Sequence, residues 1–275
     1  MHLGNLAQSG AGLLIIEATA IEPEGRITYG DVGLWDDETE AALSKTLNAV
    51  RSHSDMPIAI QLAHAGRKAS CEKPWDGGGA IAPDHKNGWQ VVAPSAVPFR
   101  AGDPAPEALG TSRIGEIVQG FADAAKRADR LGIDAIEIHS AHGYLLHNFL
   151  SPHANKRQDA YGGSLENRMR IVLEVYDAVR AAFDPAKPVG IRISASDWVD
   201  GGWDIDQSVE LAKALKERGC DFIHVSSGGL HIDQKIPLGP NYQVPFADRI
   251  KAETGMTTIA VGLITEAEQA EAFAA

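Results

Sequence analysis

Cysteine is scarce. The 275 residues hold two, Cys71 and Cys220, far apart in sequence, which excludes a disulfide framework and a cysteine-based metal cluster. Basic residues are outnumbered, 25 Lys and Arg against 37 Asp and Glu, for a formal charge of −12. Nucleic-acid binding needs a basic face to neutralise phosphates, so no nucleic-acid partner is expected. Long apolar runs are missing as well, none reaching the roughly 18 residues of a membrane span. The segment Met1-His2-Leu3-Gly4-Asn5 shows neither the basic n-region nor the apolar core of a secretion signal. What remains, 44% hydrophobic and 23% charged, is the balance of a folded globular chain. The expectation is a soluble, acidic, cytoplasmic protein. Its length permits two domains, but α/β barrels routinely exceed the usual domain size, and one domain over 1–275 is the reading adopted.

What is present is an alternation. Short β-branched runs stand at Leu13–Ile16, Ile58–Leu62, Ala135–Ile138, Val189–Ile193, Phe222–Val225 and Ile259–Val261. Continuous apolar runs of this kind suit strands buried on both faces of a parallel sheet. Amphipathic stretches lie between them. Asp36 or Asp37 opens a helix reaching about Ser52. Thr111 or Ser112 opens another, with Ile114, Ile117, Val118, Phe121 and Ala125 at helical spacing. Asp204 opens a third through Val209, Leu211, Ala212 and Leu215, closed by Gly219. Thr265 and Glu268 have the spacing of a capping box. The order predicts an α/β fold with a parallel sheet.

Each strand run is closed by a polar or small residue: Glu17, Gln61, His139, Arg192, Ser226 and, after the last, Gly262. A closed barrel gathers its C-terminal strand ends at one mouth, where all six would meet a ligand. An open sheet needs only one switch point, and no glycine-rich phosphate turn follows the first strand. A TIM-type (βα)8 barrel is therefore favoured. Six strands are visible where eight are needed, and the chain starts and stops inside apparent helices (Leu3 to Ser9, Glu266 to Ala275), so the expected architecture lacks the first and last βα units. The segment 66–110, with Gly77-Gly78-Gly79 and repeated prolines, is too long for a simple connection and reads as a lid over the site.

The chemistry concentrates in His139-Ser140-Ala141-His142-Gly143-Tyr144, which follows a buried strand. Two imidazoles three residues apart suit donation to one carbonyl oxygen, with a phenol nearby as proton source. They suit a metal equally, and hydrogen-bonded structural histidines are a third reading. Gln61 donates and accepts at once, as the edge of a flavin or pyrimidine requires, or else it closes a buried backbone group. Arg192, in an apolar strand, needs a ligand acceptor or an ion pair with Glu17 or Glu137. Ser226-Ser227-Gly228-Gly229 and Gly262 bring backbone close to the mouth, where barrels bind phosphate. Cys71 is expected to be a surface thiol, and His53, His85, His153 and His231 surface residues. The five tryptophans are expected to be core or loop anchors.

Glu17-Ala18-Thr19-Ala20, Gln61-Leu62-Ala63-His64-Ala65-Gly66-Arg67 and His139-Ser140-Ala141-His142-Gly143-Tyr144-Leu145 together resemble the old yellow enzyme family in order and spacing. So do Asp159 to Arg168 (DAYGGSLENR), Arg192-Ile193-Ser194-Ala195-Ser196-Asp197 and Ser226-Ser227-Gly228-Gly229. The likeness is to the bacterial branch of xenobiotic and thermophilic-type ene-reductases, since His142 stands where other branches carry Asn. This resemblance implies a TIM barrel with FMN across its mouth and NADPH or NADH as hydride donor. Ala18 would meet the flavin through its backbone, Gln61 at the pyrimidine edge and Arg192 at the N1–C2 side, with Ser226, Gly228 and Gly262 on the phosphate side. His139 and His142 would hold the carbonyl oxygen of an enone-type substrate while Tyr144 supplies a proton to the α-carbon, in an enzyme whose relatives are often homo-oligomers. It also implies that a first strand and a phosphate-gripping glycine–arginine pair lie outside this sequence, so that the chain alone should hold FMN weakly. Cys71 does not occupy the family's redox-tuning position. Two rival readings are a metal-dependent hydrolase or lyase using His139, His142 and His147, and an inactive remnant of the flavin enzyme.

Overall fold

A computed structural model describes residues 1–274. The helices are α1 His2–Ala7, α2 Asp37–Arg51, α3 Thr111–Arg130, α4 Leu145–Leu150, α5 Leu165–Ala182, α6 Ile205–Glu217, α7 Val244–Thr254 and α8 Ala267–Ala274. The strands are β1 Leu14–Ala20, β2 Ile58–Ala63, β3 Val92–Ala93, β4 Glu107–Ala108, β5 Ala135–Ser140, β6 Val189–Ser194, β7 Phe222–Ser226 and β8 Thr257–Ala260. Six of them form one parallel sheet in the order β1-β2-β5-β6-β7-β8, while β3 and β4 make a separate two-stranded sheet. All six expected strands are present, each neighbouring its successor in the chain order of the large sheet, as a barrel requires. Among the described residues β1 and β8 pair on one side only. No described helix is long and apolar enough to cross a membrane.

One layer of the core lies between the sheet and its helices. Ile60, Ile136, Ile138, Ile191 and Val225 are fully buried against Ile117 and Phe121 of α3, Val175 and Tyr176 of α5, and Leu211 and Leu215 of α6. Burying a side chain the size of Phe121 contributes about 1.5–3 kcal/mol. The other face of the sheet is polar toward the strand ends, where Gln61, Glu137, His139 and His224 are buried. Gly190 makes this possible: it lies opposite Phe222, and a Cβ there would sit 2.4 Å from the Phe222 ring. The bare glycine lets the phenyl fill the space below Arg192.

Two local expectations are corrected. The Thr265–Glu268 capping box does not form; the Gln269 side chain accepts from the backbone of both Thr265 (3.0 Å) and Glu266 (3.1 Å) instead. Gln269 competes because a side-chain amide oxygen reaches back over the same orphaned amides. Glu17 does not turn into the mouth. The β1–β2 register shifts between Ile16 and Thr19, and this irregularity leaves Glu17 exposed, 3.8 Å from His2. By contrast, the capping box at the start of α2 forms, with Asp36 and Thr39 satisfying each other's backbone amides.

The ends of β1 and β2 are tied by Glu22. His64, fully buried, accepts the Gly66 amide at Nδ1 (3.0 Å) and lies 2.8 Å from Glu22 Oε1 through Nε2. Arg113 of α3 binds the same oxygen at 2.6 Å. Burial by itself would raise the Glu22 carboxyl, but His64 and Arg113 outweigh it and hold it down at about 2, against an ordinary 4.5. Because the folded-state value is depressed, the stabilisation is complete above the ordinary value of 4.5 and drains away as pH falls toward 2. Glu22→Gln should therefore cost on the order of 2–3 kcal/mol at neutral pH in urea melts, a gap that narrows as the medium is acidified. Parallel pH profiles for the two proteins would refute the assignment.

Candidate active site

Strands β5, β6 and β7 place His139, Arg192 and His224 side by side, because the parallel register pairs His139 with Arg192 and Arg192 with His224. One pleat below, Gln61 pairs with Glu137. Glu137 is fully buried, and its two oxygens accept from Gln61 Nε2 (2.5 Å) and contact His224 Nδ1 (2.8 Å). Among the described residues the buried Nε of Arg192 has no hydrogen-bond partner. Burial lowers the Arg192 guanidinium, and the Glu137 charge opposes that shift. The salt-bridge alternative for Arg192 thus resolves into a charge interaction with Glu137 without a hydrogen bond, and Glu17 takes no part. An arginine held at a mouth without an acceptor is chemically matched to an electron-rich ligand edge.

Beyond β5 the chain turns sharply. His142 has φ +55° and Gly143 φ +76°, and a Cβ on Gly143 would sit 2.3 Å from the Gly229 carbonyl oxygen. This turn folds His142 and Tyr144 back over His139. The two imidazoles have centroids 5.3 Å apart at 74°, and the Tyr144 ring is 4.9 Å from His139 at 64°. His139 accepts the Ala141 amide at Nδ1 (3.2 Å), which places its proton on Nε2. His142 meets Ser226 Oγ at 2.8 Å through Nε2, leaving Nδ1 free to face a ligand. Burial, then the charge of neighbouring groups, pushes both imidazoles down: His142 to about 3, chiefly by burial and Arg192, and His139 well below its usual range, chiefly by burial and His142. Both are neutral at physiological pH. Burial raises the Tyr144 phenol to about 12, so it keeps its proton.

Other expected residues fall as follows. Ala18 lies in the β1 irregularity, half-buried. Ser226 contacts His142 and Gln243, so it steadies the imidazole as well as bordering the mouth. Gly228 and Gly229 have positive φ, but their amides are already engaged by Ser196 O (2.8 Å) and Gln234 Oε1 (2.6 Å). Gly262, φ +123°, lies against Gln243. Among the described residues no group of three His, Cys, Asp or Glu side chains is arranged to hold a metal, and His147 turns toward Asp197, 2.8 Å away. Cys71 is no surface thiol: it is half-buried beside Lys68, and burial raises it. His153 and His231 are also half-buried, with rings 5.1 Å apart. Trp203 is a core anchor, whereas Trp75 is 79% exposed, with Lys73 Nζ 5.9 Å from its ring centre.

Sequence reasoning passed over Lys68 and His224. Lys68 Nζ donates to the carbonyls of His142 (2.9 Å) and Gly229 (3.1 Å), 5.2 Å from the Tyr144 ring centre. Its signal was present in the run Ala65-Gly66-Arg67-Lys68 beyond β2. The signal for His224 is its strand position, one pleat above Phe222 and facing the same interior as Arg192.

With this geometry in view, the comparisons are unambiguous. The model of the NADH:flavin oxidoreductase / NADH oxidase family matches residues 2–275. An NADH:flavin oxidoreductase of Gibberella zeae is 45% identical over 287 residues, covering 98% of this chain and 69% of that protein. An NADPH dehydrogenase of Geobacillus thermodenitrificans is 44% identical over 271 residues, covering 98% and 74%. Among solved structures, morphinone reductase matches with TM-score 0.77 and 33% identity over 97% of this chain and 71% of its own. The old yellow enzyme homologue of Zymomonas mobilis gives TM-score 0.75 and 26% identity over 98% and 74%. The fold is that of the old yellow enzyme TIM barrels. The chain belongs to the NADH:flavin oxidoreductase / NADH oxidase family, the old yellow enzymes, and is an FMN-dependent NAD(P)H oxidoreductase.

Proposed function

We propose that the protein reduces the activated C=C bond of α,β-unsaturated carbonyl compounds with NAD(P)H. The observation that carries this reading is the neutral His139–His142 pair, 5.3 Å apart at the mouth, with a protonated Tyr144 against it. Ala18, Gln61 and Arg192 would hold the flavin ring, and the partnerless Arg192 guanidinium fits an electron-rich ring edge. Ser226, Gly228 and Gly262 would border its phosphate. Bound FMN supplies the hydride chemistry. His139 Nε2–H would donate to the substrate's carbonyl oxygen, and His142 would donate from Nδ1 with the Ser226 hydroxyl turned from Gln243, which Ser227 already satisfies, to donate to Nε2. Neutral donors strengthen their bonds as negative charge grows on that oxygen, so they favour the transition state over the ground state. Tyr144 would deliver the proton to the α-carbon, since a phenol at about 12 remains loaded at neutral pH. Segment 66–110 would cover the site: Phe99 lies over Lys68 at 4.7 Å, next to Tyr144. The open edges of β1 and β8 favour closure of the barrel by two further βα units, which would also supply the phosphate's cation.

Changing His139 and His142 together to Ala should weaken binding of a phenolic carbonyl mimic to the FMN-loaded protein by about 1.5–3 kcal/mol for each lost bond to the phenolate. Unchanged phenol affinity, read by absorbance titration, would sink the carbonyl role. Tyr144→Phe should slow enone reduction while leaving flavin reduction by NADPH nearly intact in stopped-flow traces, because only the former consumes the proton. Equal slowing of both half-reactions would make Tyr144 structural. The chain as written should bind FMN weakly by fluorescence titration, and one βα unit added at each end should tighten it. Tight binding without that addition would remove the case for closure by further strands.

A further inference from the structure

A buried cluster stands directly behind the catalytic turn. His147 and Asp197 are both wholly buried, come from α4 and from the loop after β6, and have no role in the reaction proposed above. His147 Nδ1 accepts the amide of Gly143 at 2.9 Å. That amide can only donate, so Nδ1 must carry the lone pair and Nε2 the proton. Nε2 in turn lies 2.8 Å from Asp197 Oδ1, so the proton-bearing nitrogen faces a carboxylate oxygen, although without the alignment of a hydrogen bond. The other carboxylate oxygen accepts from Ser151 Oγ (2.6 Å) and from the Trp203 amide (2.8 Å). Burial would raise the Asp197 carboxyl, but the nearness of His147 and the bonds from Ser151 and Trp203 outweigh it and hold the carboxyl below its ordinary value. The Gly143 carbonyl is held from the same side by Asn148 Nδ2 at 2.8 Å.

We propose that Asp197 and His147 are positioning residues for enone reduction: the aspartate fixes the tautomer of His147, and His147 pins the Gly143 peptide so that His142 and Tyr144 face the substrate. The turn needs such a pin because His142 is a non-glycine residue at φ +55°, a conformation that persists only where its surroundings over-determine it. Ser151, Asp197 and His147 are not a nucleophilic triad. Ser151 and His147 both address Asp197, and neither reaches the mouth.

Asp197→Asn tests the tautomer claim. The Trp203 amide can only donate, so it fixes the new amide oxygen at the Oδ2 position and turns the NH2 toward His147 Nε2. Two donors would then face each other. The imidazole should move its proton to Nδ1, and the Gly143 amide should lose its acceptor. The expected results are inversion of the His147 ring 15N shifts, faster hydrogen exchange at the Gly143 amide, and phenol affinity of the FMN-loaded protein lower by about tenfold or more. FMN affinity, which rests on Gln61 and Arg192, should be unchanged. His147→Asn, which keeps an acceptor opposite the Gly143 amide, should retain more phenol affinity than His147→Leu. That pair decides the question if Asp197→Asn fails to fold. An unchanged tautomer or unchanged phenol affinity in Asp197→Asn, or equal losses in the two His147 variants, would overturn the proposal. It rests on the carbonyl-binding role of His139 and His142. If the unaltered protein binds no phenol, that role fails, whereas the 15N shifts and Gly143 exchange still decide whether the dyad pins the turn.

Discussion

The carboxylate of Glu137, sealed inside the barrel, sets the terms for everything above it. An isolated buried charge costs too much to survive, so its surroundings must answer it. Gln61 and His224 do so by direct contact, and Arg192 does so by charge alone. This division matters. Because two neighbours satisfy the carboxylate, the guanidinium remains available at the mouth, positively charged yet without an acceptor of its own. A bidentate Glu137–Arg192 pair would have been electrostatically tidier and would have left no free donor at the mouth.

The same positive centre shapes the upper layer. Arg192 stands beside His139 in the strand register and, together with burial, helps keep the imidazoles from charging. A histidine that stays neutral donates one proton and carries no charge for water or counterions to compete for. The phenol of Tyr144 is pressed in the opposite direction by the same dry surroundings. One environment therefore holds two kinds of proton in place, one on each neutral imidazole and one on the phenol.

Much of this was legible in the sequence. The six large-sheet strands announced themselves because a strand buried on both faces has no polar alternation to confuse with a helix. The His139–Tyr144 stretch was legible as a candidate site because it sits at the end of such a strand, and the family resemblance favoured one of the three readings that the residues alone left open. What could not be read depended on distance along the chain. The partner of Arg192 hinges on register between β5, β6 and β7, and His147 meets Asp197 from fifty positions away along the chain. Glu17 was misplaced because the irregularity in β1 breaks the alternation of side chains at the residue in question. The Thr265–Glu268 spacing was genuine but lost to Gln269, a local competition that the pattern does not weigh.

The loops around the mouth are stitched to one another. Leu145 donates to His64 O, the His142 amide to Ser194 Oγ, Ser194 Oγ to Gly228 O, Lys68 to both His142 O and Gly229 O, and Arg67 to Leu230 O. The rim is thus a closed circuit running through β2, β5, β6 and β7. Residues wired in this way do not act as independent parts, and free-energy changes for paired substitutions around it will not sum as they do for distant sites. An evolutionary path that reshapes this mouth for a new substrate must therefore alter several loops in concert, with the order of changes mattering as much as their identity.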